Sequence, residues 1–162
     1  MISGRGPKAR TRVFNRIRAV LDPSRYHGRG AGRPFFEGWY YKIVDRERAR
    51  RYAVIPGVFR GREPGNDHAF VQVLNGTSGQ VDYFTFPVDA FRAAADRFVI
   101  AVGPNRFTAD RIDLDLEGEG RGIVGSLSFH GLTPWPRSLP SPGIMGWYAW
   151  APFMQCYHGV VS

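Results

Sequence analysis

One carboxyl group stands among aromatic residues near the start of the chain. In an extended strand, Glu37, Trp39 and Tyr41 share one face, because successive side chains point to opposite sides, and Lys42 falls on the other. If the face that carries Lys42 is exposed to solvent, Glu37 points into an aromatic interior. Burial there raises the pKa of a carboxyl and suits it to donate a proton near neutral pH. The alternative is that Glu37 lies at the mouth of the sheet and pairs with an arginine such as Arg33.

A second aromatic cluster lies near the end of the sequence, over Ile144–Val161, where we expect extended structure to resume. Trp147 and Tyr148 would then face opposite sides of a strand. Aromatic side chains in this position can line an apolar ligand cavity. They can equally be the ordinary core of a barrel.

The elements that must position these residues are short strands. Glycine and proline, at 20 and 12 of 162 residues, are too frequent for a helical bundle and typical of strands joined by turns. About seven short strands at this spacing predict an all-β fold, an antiparallel sandwich or barrel. The predicted strands are Phe35–Val44, Tyr52–Phe59 with an interruption at Pro56–Gly57, His68–Leu74, Gln80–Phe86, Phe98–Val102, Arg111–Glu117 and Ile123–Phe129. The segment Asn75–Gly79 between two of them is a hairpin signal.

Two short helices complete the prediction. Residues 10–21 carry one apolar face at helical spacing, and the helix ends at Asp22–Pro23 because the residue before proline avoids helical angles. This basic amphipathic helix either lies in a membrane interface or packs on its own domain with its arginines in water. Asp89–Arg97 is predicted to form two helical turns.

The positive charge of the chain is confined to its beginning. Residues 1–34 hold nine lysines or arginines and one acid, and residues 35–162 hold thirteen of each sign, so the net charge of +8 belongs entirely to the first segment. We therefore divide the chain into a basic segment, 1–34, and a β domain, 35–162. A neutral body argues against nucleic-acid binding, which requires a basic folded face. The sequence has neither the apolar stretch of a secretory signal nor a membrane span, which favours a cytoplasmic location.

Familiar catalytic and metal-binding signatures are missing from the sequence. It contains no P-loop, no G-x-S-x-G and no H-E-x-x-H, and the spacing of its four histidines forms no metal motif. Its one cysteine, Cys156, cannot form a disulfide within the chain. Asp113, Asp115, Glu117 and Glu119 alternate and can suggest a cation site, but alternation in a strand also predicts a solvent-facing row.

Four ordered motifs resemble the tocopherol cyclase family. They are Phe35–Lys42, His68–Gln72, Pro142–Tyr148 and Pro152–Ser162, and Leu21–Gly28 resembles the lead-in to the first. Each motif is long and rich in aromatic residues, and together they cover most of residues 21–162. The resemblance implies a lipocalin-like β-barrel, one half of a two-barrel fold. It implies closure of a chromanol ring from a prenylated benzoquinol without a redox cofactor.

The implied reaction assigns roles by residue type and motif membership. A water-shielded acid, Glu37 or Asp67, protonates the prenyl alkene, and aromatic faces stabilise the tertiary cation. The phenol oxygen then attacks, and His68 or His158 relays its proton. The expected binding residues for the apolar substrate are Trp39, Tyr41, Trp147, Tyr148 and Tyr157.

A second class of function stays open. The last motif has Gln155 where the family pattern has Glu, and an amide cannot exchange a proton as a carboxyl does. Family members are longer, and this sequence ends at Ser162 inside a motif, so we expect it to correspond to their N-terminal half. The alternative is a non-catalytic carrier or binder of an isoprenoid or other apolar ligand on the same barrel.

The basic segment generates a first prediction. Deleting residues 1–22 removes six of its nine cations, each of which contributes about 1 kcal/mol near an anionic bilayer. We expect the deletion to weaken binding to anionic vesicles in co-sedimentation assays, and added salt to weaken binding of the intact chain. Binding that is unchanged by the deletion and by salt would contradict a membrane role for this segment.

Overall fold

The computed structural model describes residues 17, 20, 22, 24–118, 121–133, 136, 138, 140, 141 and 146–150. The chain divides into two units, and Tyr26–His130 is the one that holds the sheets. Met1–Arg25 and Gly131–Ser162 form the other. The boundary precedes the expected one at residue 34, because Tyr26 and His27 contact the first strand of the sheets.

The first sheet is antiparallel throughout. It contains β1 (Phe35–Gly38), β2 (Tyr41–Val44), β3 (Arg51–Arg60), β4 (His68–Asn75) and β5 (Val81–Pro87). Strand β3 lies between β4 on one side and both β1 and β2 on the other, and β5 follows β4.

Strands β1 and β2 are one strand with a two-residue interruption. Gly38 lies opposite Gly57 and Tyr41 opposite Val54, so both halves keep the same register on β3. Between them the Trp39 amide donates to the Pro56 carbonyl at 3.0 Å, but Pro56 has no amide proton to return. The sequence predicted the interruption within residues 52–59. That was wrong: β3 runs unbroken through its proline, and the missing hydrogen bond interrupts the neighbouring strand instead.

The second sheet is a meander in chain order. It contains β6 (Phe91–Ala93), β7 (Val99–Val102), β8 (Asn105–Thr108), β9 (Arg111–Gly118) and β10 (Arg121–Ser128). A short 3₁₀ turn, Val88–Ala90, precedes β6. The helix predicted over Asp89–Arg97 is therefore wrong, because pairing of Phe91 with Val102 draws this segment into the sheet and overrides its alanine-rich helix propensity.

The core lies on the inner sides of both sheets and confirms the all-β prediction. Its buried residues are Val54, Ala69, Val71, Val73, Phe84, Ile100, Val102, Phe107, Ile112 and Leu116. The expected alternation of β9 is confirmed, since Asp115 and Glu117 are exposed on either side of the buried Leu116, and Ile112 is buried on the same face as Leu116. The predicted hairpin is also confirmed: the Asn75 side-chain oxygen accepts the amides of Thr77 and Ser78 at 2.9 and 3.2 Å.

The other unit is described at few positions. Ile17 and Val20 are helical, and the rest of the helix predicted over 10–21 lies outside the described residues. Gly146–Trp150 forms a 3₁₀ helix. The extended structure expected there is wrong at these five positions, and the remainder of that cluster is not among the described residues. Within the described part of the chain, no helix has the length and apolar character to cross a bilayer.

A glycine in β3 makes room for an aromatic ring on the outer side of the first sheet. A Cβ built on Gly57 would lie 2.3 Å from the Phe70 ring and 2.8 Å from the Glu37 carbonyl oxygen. Phe70 is only 2% exposed. The ring therefore covers the glycine backbone, and the strand pair cannot accept a larger residue without movement.

We expect Gly57→Ala to lower the free energy of unfolding by about 1–3 kcal/mol, the usual cost of overpacking a filled site. Urea denaturation followed by circular dichroism measures it. Gly32→Ala is the matched control, because no atom lies within 4 Å of a Cβ at Gly32. Equal effects of the two substitutions would contradict this account of the packing.

Candidate functional site

The centre of the candidate site is a carboxyl held by a histidine. One oxygen of Glu37, Oε2, accepts the backbone amide of His27 at 2.9 Å. The other, Oε1, lies 2.5 Å from Nδ1 of the His27 ring. Both side chains are mostly buried, with 15% and 16% exposed, and Lys42 faces the solvent as expected. We call this pair the His27–Glu37 dyad.

The dyad belongs to an aromatic cluster. Tyr26, which precedes the histidine, packs edge-on against Phe35 and Phe91 with ring centroids 6.0 and 5.0 Å apart. Its ring centroid also lies 6.4 Å from that of Trp39. Gly28 follows the histidine, and a Cβ there would lie 2.4 Å from both Phe35 and the Tyr26 hydroxyl. Only glycine lets the segment approach β1 closely enough for the dyad to form.

An arginine borders this cluster. The Arg60 guanidinium donates to the Tyr26 hydroxyl at 3.0 Å and to the Gly28 carbonyl at 3.3 Å, and it lies 5.9 Å from the centre of the Phe35 ring. Burial raises the pKa of Tyr26, Arg60 opposes the shift, and the Glu37 carboxyl adds to it. The phenol therefore stays neutral and fixes the guanidinium beside the aromatic wall.

Trp39 and Tyr41 lie on the inner side of the sheet, as the alternation predicted. Trp39 stacks on Phe91 and Phe98, with centroids 6.2 and 6.1 Å away. Tyr41 stacks with Phe98 and Phe129, whose ring centroids are each 6.3 Å away, and donates its hydroxyl to the Thr108 carbonyl at 2.8 Å. Burial raises the pKa of Tyr41 far above its ordinary value. Tyr41 is thus a fixed, neutral part of the core beside the site.

Asp67 is a poor candidate for the proton donor. The Arg33 guanidinium donates to both of its oxygens, to Oδ1 at 2.6 Å, and the Gly61 amide donates to Oδ1 at 3.0 Å. These contacts, that of Arg33 foremost, hold the pKa of Asp67 below its ordinary range. The arginine expected as the alternative partner of Glu37 is therefore bound to Asp67 instead, and Asp67 stays ionised.

His68 lies on the other side of the first sheet from the dyad. It is paired with Phe59 in β3, whereas Glu37 is paired with the neighbouring residue Val58. Its Nε2 lies 3.0 Å from the Tyr83 hydroxyl and its Nδ1 3.2 Å from the Asn66 carbonyl oxygen. The structure therefore does not bring His68 to the acid that it was expected to assist.

The remaining predicted site residues lie in the unit formed by Met1–Arg25 and Gly131–Ser162. Trp147 and Tyr148 stack on each other, with centroids 4.1 Å apart, and are 63% and 48% exposed. The expectation that they face opposite sides of a strand is wrong, because successive residues of a 3₁₀ helix do not alternate. Tyr157 and His158 lie outside the described residues, as does Gln155.

Sequence reasoning missed His27, Tyr26 and Arg60 as site residues. The first two lie in the lead-in to the first motif, whose resemblance was noted without a role for either. The ten-residue separation between His27 and Glu37 follows no helical or strand period, so only the folded loop reveals the contact. Among the described residues, no group of three or more histidine, cysteine or acidic side chains can hold a metal ion.

The Asp67–Arg33 pair generates a pH prediction. The folded protein stabilises the ionised form of the Asp67 carboxyl, so the pKa of Asp67 is lower in the folded chain than in the unfolded chain. The contribution of the pair to stability is therefore complete above the unfolded pKa and is lost as pH falls through the folded pKa. We expect the stability difference between wild type and Asp67→Asn to be largest at neutral pH and to shrink below about pH 4. Urea titrations across pH measure it, with Glu63→Gln in the same loop as control. A difference that grows in acid would refute the pairing.

Comparisons with known proteins identify no relative. No family model, curated protein or solved structure matches this chain. The His27–Glu37 dyad and the aromatic side chains near it are therefore the features from which a function is inferred.

Proposed function

We propose that the protein is a tocopherol cyclase-like enzyme that closes a prenylated benzoquinol to a chromanol within one molecule. The observation that carries the proposal is the His27–Glu37 dyad, a mostly buried histidine–carboxyl pair whose neighbour Tyr26 packs against Phe35 and Trp39. The meander of antiparallel strands around an aromatic interior supports a lipocalin-like barrel. The proposal places the enzyme in the cytoplasm.

The first step is protonation of the prenyl alkene. At 2.5 Å, one of the two facing atoms, Nδ1 of His27 or Oε1 of Glu37, carries a proton, since two bare acceptors would repel each other. Transfer of a proton from the dyad to the alkene carbon forms a C–H bond and leaves a tertiary carbocation. The face of Trp39 and the rings of Tyr26 and Phe35 stabilise that cation by cation–π attraction.

The second step closes the ring. The phenol oxygen of the same molecule attacks the carbocation, a C–O bond forms, and the phenol proton returns to the dyad, which is one proton short. Substrate and product are isomers, so the reaction consumes no redox cofactor. The apolar wall excludes water, which would otherwise capture the cation as an alcohol.

A carrier of an apolar ligand is the second candidate. Tyr41 supports it, because its ring stacks with Phe98 and Phe129 and its hydroxyl donates to Thr108, contacts that fix this part of the inner wall. A rigid apolar wall with one fixed polar group is typical of binding pockets. Both candidates bind the same class of apolar ligand, and only the enzyme converts that ligand to a product.

Glu37→Gln tests the enzymatic proposal. The amide keeps the size of the side chain and an oxygen to accept the His27 amide, but it cannot exchange a proton. We expect the rate of prenylquinol cyclisation, followed by chromatography of the chromanol product, to fall by about 10²–10⁴-fold, the usual cost of losing a general acid. Ligand affinity, followed by quenching of tryptophan fluorescence, should stay close to that of wild type.

Two further variants make the result decisive. Glu47→Gln changes the same residue type in the exposed turn after β2 and should leave both quantities unchanged. Trp39→Ala should weaken both binding and turnover, because it removes part of the wall. Normal turnover by Glu37→Gln would refute the dyad as acid, and binding without product by wild type would establish the carrier.

A further inference from the structure

The outer side of the first sheet is unusually aromatic. Residues paired across strands share a side, so the residues opposite the core face lie together on the other surface. We call this surface the outer face of the first sheet. Its main members by strand pairing are Phe36, Lys42, Arg51, Phe70 and Tyr83. Alternation between Gly38 and Lys42 places Tyr40 on the same side. Phe36 and Tyr40 are each 64% exposed and Tyr83 is 50% exposed.

The exposed rings form one platform. Phe70 stacks on Phe36, with ring centroids 5.9 Å apart and an angle of 9° between the ring planes. It also stacks on Tyr83, with centroids 5.1 Å apart and an angle of 16° between the planes. Phe70 is 2% exposed although it lies on the outer side, because its neighbours cover it and Gly57 lies beneath it. At 64%, 64% and 50% exposure, Phe36, Tyr40 and Tyr83 together leave on the order of 350 Å² of residue surface accessible, the size of a functional patch.

The charge on this surface has one sign. Lys42 is paired with Ala53 and Arg51 with Val44, which places both cations on the outer face, and both are exposed. No acidic residue in strands β1–β5 occupies this face. Within the described part of the chain, neither cation has a carboxylate within 4.0 Å. Both are therefore available to a partner.

Cations beside exposed aromatic rings fit an anionic bilayer. Aromatic rings partition to the headgroup level of a membrane, and lysine and arginine attract anionic lipids there. A second copy of this chain fits less well, because a two-fold contact would press the same cations together without acids to oppose them. Two cations are also too few to follow a nucleic-acid backbone.

We infer that the outer face of the first sheet docks the protein on an anionic lipid surface, with Phe36, Tyr40 and Tyr83 at the headgroup level and Lys42 and Arg51 on lipid phosphates. The inference is independent of the proposed reaction. Since Phe36 and Glu37 are successive residues, the docking surface and the dyad lie on opposite sides of one strand.

Co-sedimentation of the full chain with phosphatidylcholine vesicles, with and without phosphatidylglycerol, tests the inference. Lys42→Glu/Arg51→Glu should lower the partition coefficient for anionic vesicles by about tenfold or more. Arg62→Glu/Arg92→Glu makes the same change in net charge at exposed positions outside this face, and should lower it much less. All these variants keep the basic residues 1–34, so the difference between the two pairs reports on the face alone.

A second measurement keeps the test valid if a charge variant fails to fold. Tyr83→Trp is a conservative change that places an indole on the face, and brominated lipids should quench it beyond the quenching of the wild-type tryptophans. Equal losses in the two charge variants, or no added quenching at Tyr83→Trp, would overturn the inference. So would Phe36→Ser/Tyr83→Ser abolishing self-association in light scattering while vesicle binding is unchanged, because a second copy would then occupy the face.

Discussion

The register of residues 35–44 on β3 is the constraint on which the site depends. A slip of one residue would exchange the two faces of the strand and bring Lys42 to the position of Tyr41 in the core. Two contacts hold the register near Pro56. The Trp39 amide donates to the Pro56 carbonyl. At the next residue, Gly57, the close approach of the Glu37 carbonyl oxygen and the Phe70 ring leaves no room for a larger side chain. A proline and a glycine that read as strand breakers in the sequence thus fix the alignment of the first sheet.

The register alone would place a carboxyl in an apolar wall at considerable cost, because a buried polar group without partners loses about 1–3 kcal/mol. The segment 26–34 removes that cost by returning across β1, so that His27 supplies an amide and a ring nitrogen to Glu37. Its return depends on Tyr26, which packs on rings from both sheets, and on the absence of a side chain at Gly28. The loop before the first strand is therefore part of the site.

Alternating patterns in the sequence predicted the features that depend on a single strand or hairpin. They predicted that Glu37, Trp39 and Tyr41 share one face of a strand, that one side of β9 faces solvent and that a hairpin begins at Asn75. Contacts between distant segments were beyond local patterns: Arg33 reaches Asp67 across 34 positions, and β6 forms because β7 is there to pair with it. The resemblance indicated His68 as a partner of the acid. His68 precedes the core residue Ala69 in β4, and successive residues of a strand face opposite sides, so His68 lies on the outer side of the sheet. This alternation could already be seen in the sequence once β3 and β4 were paired.

The double contact between His27 and Glu37 also bears on the proposed reaction. A proton can lie on the ring nitrogen or on the carboxyl oxygen of the dyad, and the backbone amide of His27 donates to the other oxygen of Glu37 at 2.9 Å. The amide thus holds the carboxyl through a contact that does not use the proton shared by the dyad. In the proposed reaction a proton leaves for the alkene and another returns from the phenol beside a carboxyl that this amide already holds, and such preorganisation lowers the cost of rearranging the environment at each transfer.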